Sequence, residues 1–206
     1  MMRSTTMTMV GLLALGCGSV PPEPAEPLRV AAGDDLQALA PSRGRVRGGE
    51  KVRRRVEWPP AEARAVAAYE GLDARSRAAV DEAPVPVLVP GPDVALDQRT
   101  VMHGPEWAAF WGRREGVTVT VHASRMARVF PGVRPKPGSH TLRGQEAFMT
   151  RNEGIWAASW IEHGVAYSLE VECAPPDAPP CDDAATVEGL AEGLVYVGGR
   201  GEEVTP

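Results

Sequence analysis

The stretch Ile155–Cys173, IWAASWIEHGVAYSLEVEC, constrains the fold of this chain more than any other. Apolar and polar residues alternate on either side of His163-Gly164, a pair suited to a two-residue hairpin loop. With that loop, Trp160 pairs with Tyr167, Ala158 with Leu169 and Trp156 with Val171, and all six share one face. The opposite face receives Ser159 with Ser168, Ala157 with Glu170 and Ile155 with Glu172. Because side chains alternate with period two, a slip of one residue would exchange the two faces. The chain is therefore committed to an antiparallel sheet whose Trp- and Tyr-bearing face must be covered, since so much apolar surface is not left in water.

Neighbouring segments extend the sheet. In EWAAFWGRREGVTVTVHA the run Val117–Ala123 alternates strictly. A three-residue loop at Arg114-Glu115-Gly116 predicts Trp111 opposite Val119, Ala109 opposite Val121 and Trp107 opposite Ala123, leaving Phe110, Thr118, Thr120 and His122 on the other face. Residues 141–173 supply three further strands. Helices are predicted around them. WPPAEARAVAAYEGL has prolines for a first turn and Gly71 for an end, with Val66, Tyr69 and Ala65 as its buried stripe. DARSRAAVDEA adds a second helical segment, and the Pro-bounded PVPVLVP is at most an edge strand. CDDAATVEGLAEGLVYVGG begins at an Asp182 or Asp183 cap and runs to Gly198-Gly199, with Val187, Leu190, Ala191 and Leu194 on one stripe. The expected class is α+β: a curved antiparallel meander with flanking helices, preceded by a disordered tether.

The N-terminus is of another kind. Arg3 precedes Met7–Gly16, an uncharged and mostly apolar run too short to span a bilayer, which takes roughly 20 residues. Its end, Leu13-Ala14-Leu15-Gly16-Cys17, resembles the lipobox of bacterial lipoproteins. In that family the cysteine thiol is diacylglycerated, and cleavage before it makes it the first residue of the mature chain. The resemblance implies that Cys17 carries the lipid. Gly18, standing where that family's inner-membrane retention signal has Asp, implies an outer-membrane anchor facing the periplasm. The expected organisation is a signal peptide at 1–16, a Pro- and Arg-rich tether at 17–56, one α+β domain at 57–200 and a flexible tail at 201–206. Within the tether Arg43, Arg45, Arg47, Lys51, Arg53, Arg54 and Arg55 form a basic cluster, either a solvated linker or a contact for anionic lipid or glycan phosphates. Export makes a disulfide between Cys173 and Cys181 the expected use of the two remaining cysteines, fastening the last strand to the C-terminal helix.

Composition narrows the function. Arg3 leaves with the signal, taking the formal net charge from −5 to −6, which argues against general nucleic-acid binding. With 22 Gly and 20 Pro the chain reads as one folded core with long irregular segments. No serine lies in a G-x-S-x-G context, and Glu162-His163 is no part of H-E-x-x-H. His103, His122, His140 and His163 lack ligand spacing, and GVRPKPGSH lacks the amides and Lys placement of a phosphate loop. No metal or cofactor is expected. The tryptophans remain: Trp107, Trp111, Trp156 and Trp160, with Tyr167, are either core or the lining of a ligand groove. The hairpin SWIEHGVAYSLEVEC followed by a helix ending in LVYVGG resembles the C-terminal part of envelope domains of the lipoprotein-carrier and anti-sigma-regulator type. That resemblance implies a curved sheet sheltering acyl chains or a partner peptide. The expectation is thus a lipid-anchored envelope protein that acts by binding or structure rather than catalysis, with an acyl chain, a glycan or an envelope protein as its partner. The alternative is a periplasmic hydrolase with a dispersed site, for which His122 and Glu170 are the candidates.

Replacing Cys17 with Ser should leave an uncut precursor that no longer incorporates labelled palmitate in growing cells; unchanged processing and labelling would rule the lipobox out.

Overall fold

The computed structural model describes residues 49–134 and 136–200, all within one compact unit. Cys17, Arg43, Arg45 and Arg47 lie outside the described residues, as do the signal peptide and the tail at 201–206. The elements are β1 (Glu50–Arg53), α1 (Val66–Glu70), α2 (Ala74–Glu82), β2 (Val87–Pro90), β3 (Gln98–Gly104), β4 (Trp107–Arg114), β5 (Val117–Ser124) and β6 (Met126–Val129). They continue with β7 (His140–Leu142), β8 (Gln145–Asn152), β9 (Ile155–Glu162), β10 (Val165–Cys173), α3 (Ala184–Glu192) and β11 (Leu194–Gly198).

The fold is dominated by antiparallel sheet, with few helices, and is richer in strand than a balanced α+β fold. Its centre is a seven-stranded sheet of order β3-β4-β5-β10-β9-β8-β7. The expected single meander is in fact two, β3-β4-β5 and β7-β8-β9-β10, joined where β5 pairs with β10. Three of the tight turns place a non-glycine residue and then glycine at positive φ: Arg143-Gly144, Glu153-Gly154 and His163-Gly164. Two successive positive-φ residues give the turn whose twist matches that of the strands it joins. The β9–β10 register is the one expected, with Trp160 opposite Tyr167, Ala158 opposite Leu169 and Trp156 opposite Val171.

The β4–β5 hairpin differs from expectation by one residue. Arg114 pairs with Val117, so the loop is Glu115-Gly116 alone, and Trp111 stands opposite Thr120, Ala109 opposite His122 and Trp107 opposite Ser124. The core face is instead built from Ala108, Phe110, Val119, Val121 and Ala123, all buried. Alternation in this strand pair is compatible with either parity of β4, because it carries bulky apolar side chains on both faces. Burial of Phe110 and Ala108 beside the valines decides it.

The core face is covered by a second layer. Helix α2 packs on β3, the ribbon of β2 and β11 lies over β4 and β5, and α3 packs on β9 and β7. All four residues of β2 are buried, although it pairs with β11 alone. Ser76 of α2, itself buried, accepts a hydrogen bond from the Val101 amide at 3.1 Å, so the helix satisfies a donor on the outermost strand.

Three further expectations are corrected. First, β11 is a strand where a helix was expected to continue. The Gly193 amide closes α3 on the Gly189 carbonyl, and the following Val195-Tyr196-Val197 favours extended pairing. The helix begins at Asp183, whose side chain accepts from the Ala185 amide at 3.0 Å. Second, residues 58–71 do not make one helix. The Ala65 amide donates to the Tyr196 carbonyl and the Arg64 guanidinium to that of Val197, so the chain is drawn out beside β11 between a 3-10 turn at Ala61–Ala63 and α1. Val66 is consequently 57% exposed, while Ala68 and Leu72 enter the core. Third, Glu50–Arg53, assigned to the tether, form β1 against β6. Ladder hydrogen bonds need no apolar side chains, so a basic segment can pair while its side chains stay in solvent.

Cys173 and Cys181 form a disulfide with Cα atoms 5.9 Å apart, joining the end of β10 to the loop before α3. Closing so short a loop contributes about 2–3 kcal/mol by chain entropy. Replacing both cysteines with Ser should lower the thermal midpoint by about 5–10 °C without changing the strand content seen by circular dichroism; an unaltered midpoint would show that the staple carries no stability.

Candidate functional site

The residues proposed from sequence as ligand-facing are divided between opposite faces of the sheet. Trp160 and Tyr167 are buried in the core, stacked with centroids 5.6 Å apart, and the Tyr167 hydroxyl donates to the Pro86 carbonyl at 2.9 Å. Burial, followed by the nearby Glu162 charge, raises the Tyr167 phenol well above its ordinary value, so it stays a neutral donor. Trp156 is half-buried, donates from Nε1 to the Cys181 carbonyl at 2.9 Å, and carries the Arg151 guanidinium over its ring. These three side chains knit the sheet to the layer above it and line no open groove.

Trp107 and Trp111 project from the other face, which no element covers among the described residues. Both are half-buried. The Trp107 indole lies across Gly104 of β3, where a Cβ would stand 2.4 Å from Nε1, and stacks on His122 with centroids 5.8 Å apart. From these rings the face continues over β5 and β10 through Thr118, Thr120, His122, Ser168, Glu170 and Glu172. His122, Glu170 and Glu172 are open to solvent. Phe148 and Ile161 stand on the far side, 44% and 47% exposed, and Met102 is 46% exposed next to the tryptophans. His122 pairs with Ser168 and Glu170 with Thr120, so the two hydrolase candidates do share this surface, diagonally placed on adjacent strands in water.

A cavity elsewhere in the fold was not anticipated. Pro59, Pro60, Leu88, Leu194 and Tyr196 wall a cavity of about 330 Å³ with Arg143, Glu162 and His163 at its base. Arg143 donates to Glu162 through Nε at 2.7 Å and Nη2 at 3.3 Å, and through Nη1 to the Leu194 carbonyl at 2.7 Å; its amide bonds the Glu192 carboxylate. Trp160 Nε1 adds a bond to Glu162 at 3.0 Å. Burial alone would raise the Glu162 pKa, but these bonds and the Arg143 charge outweigh it and hold the carboxyl below its ordinary value. Each charge at the base thus has its partner within the fold. The cluster ties the β7–β8 and β9–β10 turns to the end of α3, a structural task. The spacing of Arg143-Gly144, Glu153-Gly154 and His163-Gly164 is the signal that places residues 143 and 162 at the same end of the sheet.

Lys51, Arg53, Arg54 and Arg55 are exposed along β1 and just beyond it. Arg53 is held by Glu106 at 3.0 Å, and Glu106 also meets Arg125 at 3.4 Å. Among the described residues no group of three or more His, Cys, Asp or Glu side chains could hold a metal ion, and no helix is long and apolar enough to cross a membrane. Compared with known proteins, the chain matches no family model, no curated protein and no solved structure.

The Glu162 carboxylate should contribute stability that is fully present above the ordinary glutamate value of 4.5 and lost as pH falls through its lower folded value. Comparing thermal midpoints from pH 7 down to strong acid, Glu162→Gln should be destabilised near neutrality and converge on the parent once pH has fallen below the lowered folded value; a constant offset across the range would contradict the coupling.

Proposed function

We propose that this protein is a lipid-anchored, periplasm-facing component of the outer membrane that acts by binding, and that the uncovered face of its seven-stranded sheet is the contact surface. The observation that carries the binding surface is the pair Trp107 and Trp111, half-buried on a face that no described element covers. Fully burying an indole is one of the largest gains a core offers, and both rings stand outside it although the opposite face holds Trp160 and Tyr167. The anchor rests on the lipobox resemblance at Cys17. The Cys173–Cys181 disulfide supports an oxidising compartment. Exposed Lys51, Arg54 and Arg55 suit a chain held near anionic headgroups.

Hydroxyl-radical footprinting of intact envelopes against purified full-length protein tests the reading. Trp107 and Trp111 should be several-fold less oxidised in the envelope, with Trp160 equally protected in both; equal oxidation of Trp107 and Trp111 would show that nothing occupies the face.

A further inference from the structure

We infer that the occupant of this face is an uncharged glycan chain, an inference that rests on the binding surface proposed above. The surface alternates two chemistries at the spacing of a sheet. Trp107 and Trp111 on β4 supply two half-buried indoles, that of Trp107 stacked on His122, and the next two strands offer Thr120, His122, Ser168 and Glu170 at intervals of about 4.8 Å across and about 6.8 Å along the strands. A pyranose ring presents the complementary pattern: a face of C–H groups that packs on an aromatic ring, and a rim of hydroxyls that both donate and accept.

The other occupants fit less well, each for a reason of charge or solvation. An acyl chain would bury the hydroxyls of Thr120 and Ser168 and the Glu170 carboxylate without partners, at a cost of some kcal/mol for each group. An anionic polymer meets Glu170 and Glu172 on β10, the middle strand of the seven, in a chain of net charge −5. A second copy related by a two-fold axis through that middle strand would set the same two carboxylates against their equivalents. A peptide adding a strand needs a sheet edge rather than a face. A polyol without charge incurs none of these penalties.

The floor of the face is also low. Ala157, Ser159 and Ala166 lie between the tryptophans of β4 and Phe148 of β8, strands separated by four interstrand spacings of about 4.8 Å each. Exposed His122, Glu170, Glu172 and Ile161 rise from the same three strands, so a saccharide would lie across this small-residue patch between them and the rings.

Isothermal titration of the full-length protein with cellohexaose and with hexa-N-acetylchitohexaose tests this. At least one should bind saturably, with an affinity unchanged between about 0.05 and 0.5 M salt, because no charge is neutralised. Trp111→Ala and Trp107→Ala should each weaken binding about tenfold or more, and Thr120→Val, which keeps shape and removes only a hydroxyl, by a smaller factor. Circular dichroism and thermal midpoints separate loss of contact from loss of fold, and the Thr120 variant remains informative if a tryptophan variant unfolds. Absence of saturable binding to both hexasaccharides, or binding that none of these variants alters, overturns the glycan inference. If that happens while Trp107 and Trp111 are still protected in envelopes, the binding surface stands and its ligand is of another class; if protection is absent too, both fall.

Discussion

The pairing of β5 with β10 is the contact on which the rest of the structure depends. It joins two meanders that are otherwise separate, and it sets Val119 against Val171, Val121 against Leu169 and Ala123 against Tyr167 in one buried layer. The same register places Thr118 against Glu172, Thr120 against Glu170 and His122 against Ser168 on the reverse. A single shift would send the valines to water and the carboxylates into the core, so the two faces specify each other. The disulfide sits at the end of this seam. Cys173 is opposite Val117, and the Ala174 amide goes on to bond the Gly116 carbonyl.

Much of this was legible in the sequence, and what was not has identifiable causes. The β9–β10 hairpin could be read because its aromatic residues have one parity only and its His-Gly loop admits one length. In β4 the residues Trp107, Ala108, Ala109, Phe110 and Trp111 are apolar at both parities, and the length of the loop had to be assumed. The helix predicted at residues 58–71 reads well as a local pattern, but the β11 backbone competes for the Ala65 amide and the Arg64 guanidinium. That partner is some 130 residues away, beyond any window of periodicity. Strands β1 and β3 share another cause: their polar side chains give no alternation, and pairing is a property of the backbone.

The site divides along the same line. The tryptophans were recognisable as the unusual residues, but which of them are core depends on register, and the slip in β4 moved Trp107 and Trp111 from the covered face to the open one. The Arg143 and Glu162 cluster carries no motif. Only the Gly-terminated turns at intervals of ten residues show that alternate turns return to the same end of the sheet, where a basic and an acidic residue meet. Burial gives that pair its value: half-buried charges are tolerated because Arg143 is also bonded to the Leu194 carbonyl and Glu162 to the Trp160 indole.

The cavity beside Tyr196 and the open sheet face therefore differ in what remains to be satisfied. At the cavity beside Tyr196 the charges are paired within the fold, so a ligand would gain contacts with its apolar walls and little hydrogen bonding. On the open sheet face the imidazole and the carboxylates are exposed to solvent, and the hydroxyls and indoles beside them are half-buried. Binding there exchanges water for a ligand that matches both, and the strands hold those groups in place before the ligand arrives. Little ordering cost then falls on the protein, which is what a rigid sheet contributes to recognition.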